Sequence, residues 1–244
     1  MIRLDRKRVA TIGNLLPAAG DNRPVWQGLK EEWREFERAN EDAAAHLMVA
    51  WQSKDVNTAI KQLKKAIKID SNFALAHQML SQFYAQKGKL IIAQSAALKA
   101  IQLNPNLPNA HISMGNYYIA KDKPEDAIAA FQTALRIAPS LAKAHFNLAN
   151  VYLSAEQVDE AITAYEKALA VDPKFDARGR VHNNLAIAYF KKSKYEISWQ
   201  HAQAARRLGG NVHEGFLVAL TTARNFQLGL AADSDVFSKV TGKW

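Results

Sequence analysis

Apolar residues in the middle of the chain fall into two alternating stripes, each at helical spacing. Ile112, Gly115, Tyr118 and Ile119 mark one face, the polar run KDKP interrupts at 121–124, and Ala127, Ile128, Phe131, Ala134, Leu135 and Ile137 mark a second. The pattern predicts a helix, a turn and a second helix. Pro124 suits the first turn of the second helix, where a missing N–H costs nothing, and Pro139 lies beyond its end. Gly115, Ala127 and Ala134 let the two helices approach closely, while Tyr118 and Phe131 fill the space beside them. One such pair cannot bury its own apolar face; stacked neighbours can.

The pattern returns with a period of 34 residues. Ala59, Ala93, Ala127 and Ala161 keep it, as do Ala66, Ala100, Ala134 and Ala168. So do Tyr84, Tyr118 and Tyr152, Pro105, Pro139 and Pro173, and His77, His111 and His145. A fifth copy follows with Tyr189, Ser198 and Ala205, displaced by three further residues. The first copy, from about Asn40, is degenerate, with Ala50 in the tyrosine slot and Ser71 in the proline slot. From Pro139 to His145 is six residues, but from Pro173 to His182 is nine. The insertion around FDARGR lengthens a turn, or alters the angle between copies and turns Arg178 and Arg180 toward the inner face.

The units NAHISMGNYYIAKDKPEDAIAAFQTALRIAPS (109–140) and KAHFNLANVYLSAEQVDEAITAYEKALAVDPK (143–174) resemble tetratricopeptide repeats in their small–aromatic–small–aromatic–small–proline order. Histidine stands where the family's tryptophan usually sits. The resemblance covers roughly residues 40–210. It implies an all-α fold, a right-handed α–α superhelix of about five helix pairs with capping helices. The segment RRLGGNVHEGFLVAL (206–220) is similar to the closing helix of such proteins. The expected division is an extended or mobile segment at 1–23, an N-terminal capping helix at 24–39 and the solenoid at 40–210. A C-terminal capping helix at 211–225 and a tail at 226–244 complete it. Within 24–39, Trp26, Leu29, Trp33 and Phe36 share one face. They either cover the first copy or form a partner or self-association surface.

Composition narrows the chemistry. The 244-residue chain is 48% hydrophobic and 23% charged, an ordinary folded protein rather than a disordered or collagenous one. It has no run of about 18 apolar residues. The absence of cysteine removes disulfides, thiolate metal sites and a cysteine nucleophile together, but leaves the compartment open. A cytoplasmic location is expected, and a processed exported form is also compatible. No glycine-rich phosphate loop, HExxH, GxSxG elbow or acidic calcium loop occurs, so neither catalysis nor a cofactor is expected. His77, His111, His145 and His182 invite a metal reading, but equivalent positions on stacked helices lie about 10 Å apart. Zinc needs each nitrogen at about 2 Å. Packing between helices is the expected role of the histidines.

The net charge of +9 is uneven. Residues 176–210 hold seven basic against two acidic side chains, including Arg178, Arg180, Arg206, Arg207 and the KKSK run at 191–194. An RNA- or anionic-surface-binding module using this fifth copy is the alternative to a protein scaffold. By analogy with the family, the first helix of each copy lines a concave groove. Asn109, Ile112, Asn116 and Ile119 would face it in the third copy, and Lys143, Phe146, Asn147, Asn150 and Leu153 in the fourth. The fifth copy contributes Arg180, Asn183, Asn184, Ile187 and Phe190. Asparagine carries donor and acceptor together, so a row of them can grip an extended peptide backbone, or serve bonding between helices. The aromatic and aliphatic members would hold apolar side chains. The family's carboxylate-clamp lysine is replaced by Gln78, Ile112 and Phe146, which argues against a ligand of that type. The expected function is a non-catalytic scaffold or adaptor for an extended segment of another protein.

Overall fold

The computed structural model describes Glu35 and residues 38–229. The segment 1–23, the side chains of Trp26, Trp33 and Phe36, and the end of the tail lie outside the described residues. Eleven helices follow one another among those described: α1 (Glu41–Gln52), α2 (Val56–Ile69), α3 (Ala74–Gln86), α4 (Leu90–Leu103), α5 (Pro108–Ala120), α6 (Pro124–Ile137), α7 (Ala142–Ser154), α8 (Val158–Val171), α9 (Arg178–Lys191), α10 (Tyr195–Arg207) and α11 (Glu214–Gln227). The first ten form five antiparallel pairs, and each pair packs on the next.

Local signals explain the boundaries. The Asn40 side chain accepts from the Asp42 and Ala43 N–H groups to start α1. Asp55 does the same for Asn57 and Thr58 at α2, and a bond from the Thr58 hydroxyl, with those two, holds its carboxyl below the usual aspartate value. Prolines open α5 and α6. Between the two helices of the second to fifth pairs the chain reverses through a left-handed residue at the same register: Gly88, Asp122, Glu156 and Ser193, with φ between 54° and 69°.

Packing is close because the crossing residues are small. Ala59, Ala127 and Ala161 have no exposure, and Ala93 has 5%. Phe131 and Tyr165, also fully buried, fill the space left beside them. Apolar clusters run the length of the array, each joining adjacent elements. The first helices α3, α5, α7 and α9 also touch one another in succession, so they line the inner, concave side and the second helices form the outer one. At the far end, Phe216, Ala219, Leu220 and Ala223 of α11 close over Ala186, Phe190, Tyr195 and Ala202. At the near end, Ala39 packs on the first cluster, and Glu35 accepts a bond from Asn104 Nδ2 at 2.9 Å, at the C-terminus of α4.

Candidate functional site

The inner face of the third to fifth pairs carries an asparagine-rich strip. Asn116 and Asn150 occupy one register of α5 and α7, and Asn147 and Asn184 occupy another on α7 and α9. The same bond forms twice between neighbours. Asn147 Nδ2 donates to Asn116 Oδ1 at 3.0 Å, and Asn184 Nδ2 donates to Asn150 Oδ1 at 2.9 Å. The second pair has an additional partner, Tyr165 on α8. Its hydroxyl donates to Asn150 Oδ1 at 2.6 Å and accepts from Asn184 Nδ2 at 3.0 Å, while burial pushes the phenol well above its ordinary value. Tyr165 stands 34 residues after Phe131. It keeps the ring that fills that slot and adds a hydroxyl that reaches the inner face.

Asn150, Tyr165 and Asn184 floor an open cavity of about 490 Å³, lined also by Phe146, Leu153, Ser154, Arg180, Asn183 and Asn211. A smaller hollow of about 140 Å³ shares Asn150 and Ser154 with it and continues past Ile119 to the turn at Asp122–Pro124. Together they make one strip running from the fifth pair to the third. Arg180 is exposed, with its guanidinium 5.1 Å from the centroid of the Phe146 ring. Lys143 is likewise exposed, yet the surrounding helices desolvate it enough to lower its ammonium pKa below the usual lysine value. Asn183 Nδ2 donates to Asn184 Oδ1 at 3.3 Å.

Several expected groove contacts are not available at the surface. Ile112 is 1% exposed, Phe190 5% and Phe146 6%. Ile112 belongs to the cluster beneath α5–α7, and Phe190 meets Tyr195 and Phe216. Phe146 packs against Tyr165 and Phe175, so it presents at most a ring edge beneath Arg180. The apolar surface on offer is instead Ile119, 46% exposed, with half-buried Leu153. Ile187 is half-buried against the α11 cluster. Asn109 is half-buried at the start of α5. Tyr165 and Asn211 escaped the sequence reading because one lies on a second helix and the other in a turn.

The histidines act as straps. The Nε2–H groups of His77, His111 and His145 donate to the carbonyls of Ser71, Pro105 and Pro139, each six residues back, at 3.0, 2.8 and 2.8 Å. In the fifth copy the three-residue insertion moves the carbonyl away. Arg178 Nη1 takes the Pro173 carbonyl at 2.5 Å, and His182 shares a proton with His201, Nδ1 to Nδ1 at 2.9 Å. His201 also stacks on Tyr189, whose hydroxyl donates to Glu166 and is pushed up to about 12 by burial and that carboxylate. Among the described residues no cluster of three or more such groups has the geometry to hold a metal ion.

Sequence models of the tetratricopeptide repeat match residues 74–107 and 142–175, and a TPR repeat model matches 115–155. The chain is a tetratricopeptide repeat protein. Solved structures agree on the fold of this repeat protein. A crystal structure of MamA is 25% identical, with a TM-score of 0.54 over 69% of this chain and 92% of that one. PilF of Pseudomonas aeruginosa is 18% identical, with a TM-score of 0.66 over 82% of this chain and 89% of that one. A thermophilic TPR protein of Thermus thermophilus is also 18% identical, with a TM-score of 0.58 over 74% of this chain and 98% of that one. No curated protein matches the sequence significantly. The repeats support a protein-interaction scaffold as the coarse function.

Proposed function

We propose that this repeat protein is a non-catalytic adaptor that holds an extended segment of a partner protein along the strip from Arg180 to Ile119. The observation that carries the proposal is the half-committed asparagine row over an open cavity. Asn150 Oδ1 accepts two bonds, yet its Nδ2 has no partner among the described residues, and Asn183 and Asn147 each keep an uncommitted Oδ1. Such groups match the alternating C=O and N–H of an extended backbone without reading its side chains. Arg180 favours an acidic residue beside that backbone, and Ile119 with Leu153 favours an apolar one. Ion pairing of two of its lysines weakens the alternative of a nucleic-acid platform on the basic fifth copy. Lys191 pairs with Glu156 at 3.8 Å and Lys192 pairs with Asp159.

The test is selection of random dodecamer peptides against the full chain, with affinities of the selected peptides read by fluorescence anisotropy. Enrichment of extended sequences pairing an acidic with an aliphatic residue is expected. Replacing Arg180 by Gln and Asn183 by Ala should weaken binding by about 1–3 kcal/mol in total and leave Tm unchanged. Asn150→Ala should lower Tm as well, because it leaves the buried Tyr165 hydroxyl short of a partner. Peptides whose affinity ignores Arg180 and Asn183 would refute the assignment of the strip.

A further inference from the structure

The repeat provides its own internal control for the outer surface. One period apart, Asn57, Thr58 and Lys64 of α2 correspond to Ile91, Ile92 and Leu98 of α4. In α6 and α8 the positions of Ile91 and Ile92 carry Glu125 and Asp126, then Asp159 and Glu160. Carboxylates suit the first turn of a helix, where they complement its dipole. Helix α4 replaces both with aliphatic side chains and leaves these in water: Ile91 is 72% exposed, Leu98 48% and Ile92 45%, whereas α10 keeps Glu196 and carries one aliphatic, Ile197, 37% exposed. On the second helix of the preceding pair, α2 exposes Lys61, Lys64, Lys65 and Lys68. None of these lysines pairs with a carboxylate among the described residues; Lys64 rests 5.9 Å from the Tyr84 ring centroid. Residues 53–107 hold eight lysines against two aspartates.

We infer that the outer face of α2 and α4 docks the protein peripherally onto an anionic phospholipid surface. Aliphatic side chains that enter the headgroup region beside an unpaired row of lysines are the two components of reversible interfacial binding. A convex face meets a flat bilayer along about two consecutive outer helices, and both components lie on such a pair. A nucleic-acid ligand would call for exposed aromatic rings between the lysines, and this face has aliphatics there. Docking by the outer side leaves the inner strip open, so this inference stands whether or not that strip binds a peptide.

The experiment is co-sedimentation of the full chain with phosphatidylcholine vesicles, neutral or containing roughly one-third phosphatidylglycerol. Partitioning onto the anionic vesicles should exceed that onto neutral ones by about ten-fold or more and should fall with added salt. The pair Ile91→Ser and Leu98→Ser should reduce it by about ten-fold. The triple Lys61→Gln, Lys65→Gln and Lys68→Gln should reduce it as far. Replacing Lys191, Lys192 and Lys194 by Gln should leave it in place. All three variants change exposed side chains, and circular dichroism melts check that each is folded. Equal partitioning onto neutral and anionic vesicles overturns the proposal and assigns the face to a protein partner or a second copy. Anionic binding that survives Ile91→Ser with Leu98→Ser, or that depends on the fifth-copy lysines, overturns it too.

Discussion

Asn116 and Asn150 look alike on the sequence, and each accepts from an asparagine of the next pair, but only Asn150 has a phenol beneath it. One added oxygen on Tyr165 thus turns a repeated inter-helix clasp into the floor of a cavity. Small residues matter in the opposite sense. A Cβ added at Gly115 would lie 2.5–2.8 Å from three ring atoms of Phe131, which is itself fully buried and has nowhere to move. Gly115→Ala should therefore destabilise the protein by about 1–3 kcal/mol despite its better helix propensity, and denaturant unfolding would read the shift. A stabilised variant would mean that the α5–α6 crossing is looser than the structure has it. The row of inner asparagines was legible from residue type and register alone. Their pairing was not, because it depends on how far apart neighbouring first helices sit. The burial of Ile112 and Phe190 was hidden for a related reason: a helical stripe fixes which residues share a face, whereas packing fixes how that face is rotated against its neighbours.

Helix pairs are where the sequence speaks most clearly, because spacing of small and aromatic residues, prolines at the first turn and caps at Asn40 and Asp55 all point to one arrangement. The histidine series was legible as packing, but its hydrogen bond to a carbonyl six residues back required knowing where the preceding chain leaves its helix. The broken period at the fifth pair redirects His182 to His201 and gives this element a titration. Burial lowers the pKa of His77, His145, His182 and His201 below the ordinary imidazole value. For the last two, the neighbouring Arg178 charge and the opposing imidazole respectively add to the effect. The unfolded chain then binds protons that the folded one refuses. The stability they contribute is complete above the unfolded value of about 6.5 and is lost as pH falls from there toward the folded values. Tm should fall between about pH 7.5 and about pH 5, and His182→Gln, which keeps a bond to His201 but cannot charge, should shrink the fall. A Tm that is flat across that interval would show that these rings are solvated in the folded state.

Across the whole molecule, contacts join each pair to its neighbours, so cooperativity should decay along the array instead of being shared evenly. The fifth pair is the most exposed to this effect. Its link to the fourth contains the inserted residues, and Gly179 at the start of α9 meets the backbone of Gly210, where an added Cβ would come within 2.9 Å of the Gly210 nitrogen. Its other side is held by α11, chiefly through Phe216, which is 1% exposed and stacks edge-on against Phe190 at 5.5 Å. Phe216→Ala should remove about 3–5 kcal/mol from that end. In a protein with one undivided core, such a loss would speed hydrogen exchange everywhere. Here the protection of amides in α9, α10 and α11 should collapse while that of α3 to α6 stays near its original value. Exchange followed by mass spectrometry separates the two outcomes peptide by peptide. Faster exchange at the first pair by the same factor as at the fifth would contradict nearest-neighbour coupling. Loss confined to the fifth pair would also dissolve the Arg180–Asn183 end of the inner strip while sparing α2 and α4. The same variant should then lose affinity for selected peptides and keep its partitioning onto anionic vesicles.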